Sequence, residues 1–169
     1  WQVSADGLMY TLHLRRGVKF HTTPSFKPTR DFNADDVLWS INRMADKAHP
    51  AHNSARNGFV YWTGMEMSTL LAGVSKVDDH TVRFKLTKPS APFLANLAIA
   101  PIGAMYSAEY GEQLARAGKL EALNTEPVGS GPFVFKSYQK DATVRYTANK
   151  SYWGGAPKVD NLIFAITVD

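Results

Sequence analysis

The sequence predicts an α+β chain: a mixed or antiparallel sheet built from short hairpins, with two or three helices. Three observations carry this. Residues 74–86 and 133–146 each read as two alternating strands joined by a short turn. Residues from Asn33 onward place apolar side chains at helical spacing behind a capping residue. A second helical segment, residues 107–117, ends at a glycine.

Each element has its own reason. Tyr10, Leu12 and Leu14 alternate with Thr11, His13 and Arg15, a strand with one buried face between Gly7 and Gly17. Residues 21–31 contain Pro24, Pro28 and several threonines and read as a surface loop. Asn33 is a helix N-cap, with Asp35 and Asp36 well placed in the first turn. Val37, Ile41, Met44 and Ala45 then share one helix face, and His49-Pro50 lies beyond its end. Residues 51–64 show no clear period. Residues 67–71 suit a short helix.

The first hairpin comprises residues 74–77, a turn at Asp78-Asp79, and residues 81–86, with Val82, Phe84 and Leu86 on one face. Ser90 and Pro92 open a short helix through Phe93, Leu94 and Leu97. The helix over residues 107–117 is capped by Ser107 and stopped by Gly118. In the second hairpin Phe133, Phe135 and Ser137 alternate with Val134 and Lys136. Residues 139–142 turn, and Val144 and Tyr146 continue on the return strand. Tyr152-Trp153-Gly154-Gly155 is a turn. Residues 162–168 form a last strand, apolar enough to sit inside a sheet. No internal repeat and no low-complexity tract is present.

Composition narrows the function classes. Hydrophobic residues make up 44% and charged residues 20% of the 169, the balance of an ordinary globular protein, not of a disordered tail, a collagen or a coiled coil. With no cysteine there is no disulfide scaffold, no cysteine-based zinc site and no thiol nucleophile. The net charge of +4 is spread along the chain. The densest basic stretch is Arg15, Arg16 and Lys19, not the concentrated stripe that nucleic-acid binding uses. No apolar run approaches the roughly 20 residues that span a bilayer; the longest, residues 91–105, is broken by Pro92, Asn96 and Pro101. The chain opens at Trp1 without an initiator Met or a signal peptide, and both ends read as cuts through a longer polypeptide.

Catalytic and metal motifs fail one by one. Gly129-Ser130-Gly131-Pro132 is glycine-rich, but Pro132 and a strand pattern follow where a phosphate loop needs Lys, Ser or Thr and a helix. The loop reads as a tight turn that launches a strand. His49 and His52 are three apart, yet Pro50 intervenes and no third ligand is near in sequence. No G-x-S-x-G nucleophile elbow occurs. The carboxylate pairs Asp35-Asp36 and Asp78-Asp79 are explained by helix capping and by turn chemistry. These residues point to neither an enzyme nor a metal or cofactor site. The aromatics are more informative. Phe59, Tyr61 and Trp62 lie in the non-periodic segment, off any helix or strand stripe, where large aromatics either line a pocket or interface or cover the edge of the core.

Residues 1–21, WQVSADGLMYTLHLRRGVKFH, resemble the signature of the family 5 extracellular solute-binding proteins of ATP-binding-cassette (ABC) importers. The pattern is an aromatic, a Ser-x-Asp-Gly turn, an alternating strand ending in Leu-Arg, then Gly-Val-Lys-Phe-His. Further matches follow in order: Asn33-Ala34-Asp35-Asp36-Val37 with Ser40 in the next turn, Val77-Asp78-Asp79-His80-Thr81-Val82, and Pro89-x-x-Pro92-Phe93-Leu94. Pro127-Val128-Gly129-Ser130-Gly131-Pro132-Phe133 and Tyr152-Trp153-Gly154 complete the set, which covers the whole chain. Many family members carry Asp-Gly directly after the equivalent of His21. Here a longer connection from Thr22 to Arg30, containing Phe26-Lys27-Pro28-Thr29-Arg30, is similar to that of the dipeptide-binding subgroup, as are Gly64-Met65 and the closing Ile166-Thr167-x-Asp169.

The resemblance implies a type II periplasmic binding-protein fold, in which two lobes close on the ligand and an extra subdomain is attached to the first lobe. Residues 1–169 are then a single fragment: most of that subdomain plus a strand or two of the first lobe, with the second lobe absent. In the dipeptide binders the second lobe supplies the Asp and Arg that hold the peptide termini. What remains here is Phe59, Tyr61 and Trp62, which match a region that approaches the cleft. The implied function is capture of dipeptides or short peptides in the periplasm and delivery to a membrane permease, with no catalysis, no cofactor, no nucleic acid and no membrane insertion. Alternatives are capture of haem, a cationic antimicrobial peptide or a nickel complex, a protein-interaction module, or a hydrolase, for which the sequence offers neither nucleophile nor metal. One lobe alone cannot enclose a peptide, so this piece by itself should bind peptide poorly.

Overall fold

Alternation in the sequence becomes alternation of burial in the first of two sheets. A computed structural model describes residues 1–55 and 57–167. Strands β1 (Gln2–Val3), β2 (Met9–His13), β3 (Leu71–Asp78) and β4 (Thr81–Leu86) form an antiparallel sheet in the order β1-β2-β4-β3. Central β4 is flanked on both sides, and its Val82, Phe84 and Leu86 are buried as their spacing predicts. Strand β3 begins earlier than residue 74, at Leu71, and the turn residues of the hairpin are Asp79 and His80.

This sheet belongs to one of two compact units, made of Trp1–Arg16 and Asn33–Ala108. Its main helix, α1 (Ala34–Ala45), opens with a capping box. The Asn33 side chain accepts from the Asp35 N–H at 2.9 Å, and the Asp36 carboxylate accepts from the Asn33 N–H at 2.9 Å. Val37, Ile41 and Met44 are buried, but Ala45, expected on the same face, is exposed. The residue that takes its place inward is Arg43.

After a 3-10 turn at His52–Ser54 come α2 (Val60–Gly64) and α3 (Met67–Leu70). Helix α4 (Phe93–Leu97) follows Pro92, and α5 (Ala100–Gly103) carries Pro101 in its first turn. Phe93 is the keystone of this unit. Its ring centroid lies 4.7 Å from that of Tyr10 and 5.7 Å from that of Phe84, so α4 is fastened to the sheet by an aromatic cluster. The Tyr10 hydroxyl donates to the Ser90 carbonyl at 3.2 Å, satisfying the polar end of an otherwise buried ring.

The second unit joins Gly17–Phe32 to Glu109–Asp169. Helix α6 (Ala108–Ala117) ends at Gly118, whose φ of 67° is left-handed. The Gly118 N–H donates to Ala115 O at 3.1 Å and the Lys119 N–H to Leu114 O at 2.9 Å, the paired bonds of a Schellman cap. Short helix α7 (Ala122–Thr125) follows. The surface loop of residues 21–31 is stitched to α6. Gln113 Nε2 donates to Ser25 O at 3.0 Å, the Thr29 N–H and hydroxyl donate to the Glu109 carboxylate, and Phe26 packs 5.0 Å from Tyr110.

Strands β5 (Phe133–Gln139), β6 (Thr143–Ala148) and β7 (Asn161–Ala165) make a three-stranded antiparallel sheet in that order. Asp141, with φ of 58°, turns the β5–β6 hairpin in the left-handed region that short polar residues tolerate. Phe135, Tyr146 and Phe164 form an edge-to-face ladder across the strands, with centroids 5.9 and 6.1 Å apart. The last strand was expected inside a sheet over residues 162–168. Within the described residues it is an edge strand ending at Ala165, with Ile163 and Phe164 exposed; residues 168 and 169 lie outside the described residues. Apolar composition alone does not tell a central strand from an edge one, because that depends on which segment pairs with its free side.

Candidate functional site

The candidate site is built around one stripe of α1. Asp36, Ser40 and Arg43 are spaced four and three apart and all are buried, so they lie on one face of the helix. Each holds a loop. Asp36 Oδ1 accepts from the Ala108 N–H at 2.8 Å. Ser40 Oγ accepts from the Tyr106 N–H at 2.8 Å. Arg43 Nε donates to Ser54 Oγ at 3.1 Å and to Ala51 O at 3.4 Å. The guanidinium also faces two rings, 4.7 Å from the Tyr106 centroid and 5.1 Å from that of Phe59. His52 Nδ1–H donates to Arg43 O at 2.9 Å and its ring lies 5.4 Å from Phe59. His49 packs edge-on to Trp39 at 5.1 Å, and burial pushes its pKa down, with Asp46 partly opposing.

The aromatic segment therefore rests on α1, and it is not irregular as the sequence suggested. Residues 60–64 form α2, a helix too short for a period to be visible. The three aromatics have three environments. Phe59 precedes the helix and is half-buried against Arg43 and His52. Tyr61 is 51% exposed and lines a shallow cleft with Val60, itself exposed, and Pro101. Trp62 is 3% exposed, and its Nε1–H has no hydrogen-bond acceptor among the described residues. Trp62 belongs to the core, while Tyr61 offers a face to solvent.

Phe59 and Trp62 also wall a cavity of about 670 Å³, lined further by Met44, Lys47, Asn53 and Thr63. Sequence reasoning missed Arg43 and Tyr106 as partners of this segment. The i, i+4, i+7 spacing of Asp36, Ser40 and Arg43 is the signal that points to Arg43; Tyr106 meets it only through tertiary contact.

Elsewhere, the Gly129–Gly131 loop is bound by His21, as a turn leading into β5. The His21 N–H donates to Gly129 O at 2.8 Å and the His21 Nε2–H to Gly131 O at 2.9 Å. Asp35 pairs with Lys76, which also meets Asp79, so the first carboxylate pair is divided between a capping box and a surface ion pair. Among the described residues no group of three or more His, Asp or Glu could hold a metal, and no helix is long and apolar enough to cross a membrane.

The fold and the ordered motifs define a class. Residues 1–169 match the family described as bacterial extracellular solute-binding proteins, family 5, middle region, and the chain belongs to that family. It is 60% identical over its 169 residues to Di/tripeptide-binding protein 4 of Pseudomonas aeruginosa (strain UCBPP-PA14), covering all of this chain and 32% of the relative. It is 49% identical to Heme-binding protein A of Haemophilus influenzae (strain ATCC 51907 / DSM 11121 / KW20 / Rd), covering all of this chain and 31% of that relative. The crystal structure of a dipeptide binding protein from Pseudoalteromonas sp. SM9913 in complex with Met-Leu superposes with a TM-score of 0.94 at 37% identity, over 99% of this chain and 33% of that one. The chain thus spans about a third of the length of the relatives it matches.

Proposed function

We propose that this chain is part of a periplasmic protein that captures dipeptides or tripeptides for an ABC-type importer. The observation that carries this reading is the 60% identity, over the whole of this chain, to a relative named for di- and tripeptide binding. Residues 1–169 contribute the extra subdomain and part of the first lobe. The peptide termini are held by a second lobe outside this chain, and ligand contact with both lobes favours the closed form. The closed form then docks on a membrane permease. The protein performs no catalysis: its work is desolvating the peptide and satisfying its backbone with charge-assisted hydrogen bonds.

Within this chain, Tyr61 supplies an aromatic flank to the ligand cleft, with Phe59 beside it and Trp62 holding the helix that presents both. The exposure of Tyr61 beside a shallow apolar cleft supports this division of roles. A second reading, haem capture, is favoured by the 49% identity to a relative named for heme binding.

The test is calorimetric titration of the complete polypeptide with Met-Leu and, separately, with haemin. Saturable Met-Leu binding, weakened about fivefold by Tyr61→Ala for the loss of roughly 1 kcal/mol of aromatic contact, is the expected result. Saturable haemin binding with no heat from Met-Leu would replace the first reading with the second. No response to either would refute both.

A further inference from the structure

We propose that Arg43 is a positioning residue that ties together the two walls of the cleft lined by Tyr61; its bearing on ligand capture rests on that cleft being the peptide's. One wall is α2 with Phe59 at its start, and the other is α5, which contributes Pro101. The Phe59 carbonyl accepts from the Thr63 N–H at 2.9 Å, so the place of Phe59 fixes the first turn of the helix that carries Tyr61. Tyr106 lies just beyond the end of α5, and its N–H donates to Ser40 Oγ at 2.8 Å.

Arg43 reaches both walls. Its guanidinium carbon lies 5.1 Å from the Phe59 ring centroid and 4.7 Å from that of Tyr106. Its Nε–H is shared between Ser54 Oγ at 3.1 Å and Ala51 O at 3.4 Å, and its carbonyl accepts from His52 Nδ1–H at 2.9 Å. One residue of α1 therefore fastens the loop that leads into α2, the residue that caps α2, and the segment that leaves α5.

Stability alone does not call for an arginine here. The side chain is 5% exposed, and among the described residues no carboxylate lies within ion-pair distance of it. Burying a cation among neutral partners is costly, and an apolar side chain of similar size often serves stability as well. The Ala51 carbonyl would keep the Ser54 hydroxyl at 2.7 Å without Arg43, so the loop does not need the guanidinium for satisfaction. What the guanidinium adds is direction. A planar cation presents a face to an aromatic ring and an edge donor to an oxygen at once, a combination that neither Met nor the ammonium of Lys offers.

The test uses the complete polypeptide with Arg43→Met and Arg43→Lys, and with Tyr106→Leu, which leaves Arg43 in place and keeps the backbone bond to Ser40 should the Arg43 variants fail to fold. Hydrogen exchange reads the tie without any ligand. Each variant should speed exchange of the Thr63 and Met65 amides, which bond to Phe59 O and Tyr61 O, by about tenfold or more, while β4 stays as protected as in the native sequence. Arg43→Met should unfold near the native urea midpoint. Calorimetry then reads the consequence: Arg43→Met should weaken Met-Leu about fivefold, and its combination with Tyr61→Ala should be no weaker than Tyr61→Ala alone, because both changes remove the same contact. The proposal is overturned by native exchange at Thr63 and Met65, by exchange that rises equally in β4, or by losses of affinity that multiply in the double variant. If Tyr61→Ala leaves Met-Leu binding intact while α2 loosens in the Arg43 variants, the tie stands and the assignment of the cleft to the peptide falls.

Discussion

His21 donates its Nε2–H to the carbonyl oxygen of Gly131 across 2.9 Å, although 110 residues separate the two. The same carbonyl accepts from Asn149 Nδ2 at 3.0 Å, and the His21 backbone N–H reaches Gly129 O. The loop that launches β5 is therefore held by one buried imidazole and one amide.

Burial is the main cause that lowers the His21 pKa below its ordinary value, with the Gly131 bond partly opposing. The folded state then takes up a proton less readily than the unfolded chain does. The stability this contributes is complete above the unfolded histidine pKa of about 6.5 and is lost as pH falls through that value toward the lowered folded one. Melting temperatures between pH 8 and pH 5 should drop more steeply for the native sequence than for His21→Gln, whose amide can still donate to Gly131. Equal slopes would show that His21 is not the titrating group.

Asp36 is fully buried and accepts from the backbone N–H groups of both Asn33 and Ala108. Asp36→Ala leaves both donors unsatisfied, at about 1–3 kcal/mol each. Asn33→Ala removes only the cap's other half and should cost about 1 kcal/mol. Urea unfolding of the two variants should rank them in that order. Equal losses would mean that the Ala108 contact carries no weight.

Tyr61 and Trp62 are adjacent in sequence but should separate in their effects. Trp62→Ala empties a core position and should cost about 3–5 kcal/mol in stability. Tyr61→Ala, at an exposed position, should change stability by no more than about 0.5 kcal/mol while weakening Met-Leu binding. If Tyr61→Ala destabilises as much as Trp62→Ala, the ring is structural and its place in the ligand cleft is lost.

Gly118 ends α6 with φ of 67°, and a Cβ placed there meets nothing within 4 Å. The cost of Gly118→Ala is therefore conformational, about 1 kcal/mol, and Gly118→Asn should cost less. Thermal unfolding of the pair checks this; an identical loss would point to a steric cause instead.

Much of the fold was legible because it is written in local chemistry. The Asn33 cap, the Gly118 stop, the β4 alternation and the two hairpins each depend on residues within one or two turns of each other, although the first hairpin turns at Asp79-His80, one residue later than expected. Helices α5 and α7 were missed because each is a single turn with no period to read. The candidate site was legible only in outline. The sequence singled out Phe59, Tyr61 and Trp62, but a five-residue helix carries too little periodicity to say which ring points inward.

The sequence by itself determined the α+β class, the capped helix, the two hairpins and the family, because these follow from spacing and ordered motifs. The tertiary structure alone decided that Asp36 and Ser40 hold Ala108 and Tyr106 from far along the chain, that Trp62 is core while Tyr61 is exposed, and that β7 is an edge among the described residues. The physical reason is range. Capping and turn propensities act over a few residues, whereas burial and hydrogen-bond satisfaction at these sites join residues such as Ser40 and Tyr106, 66 positions apart, and no window on the sequence contains both.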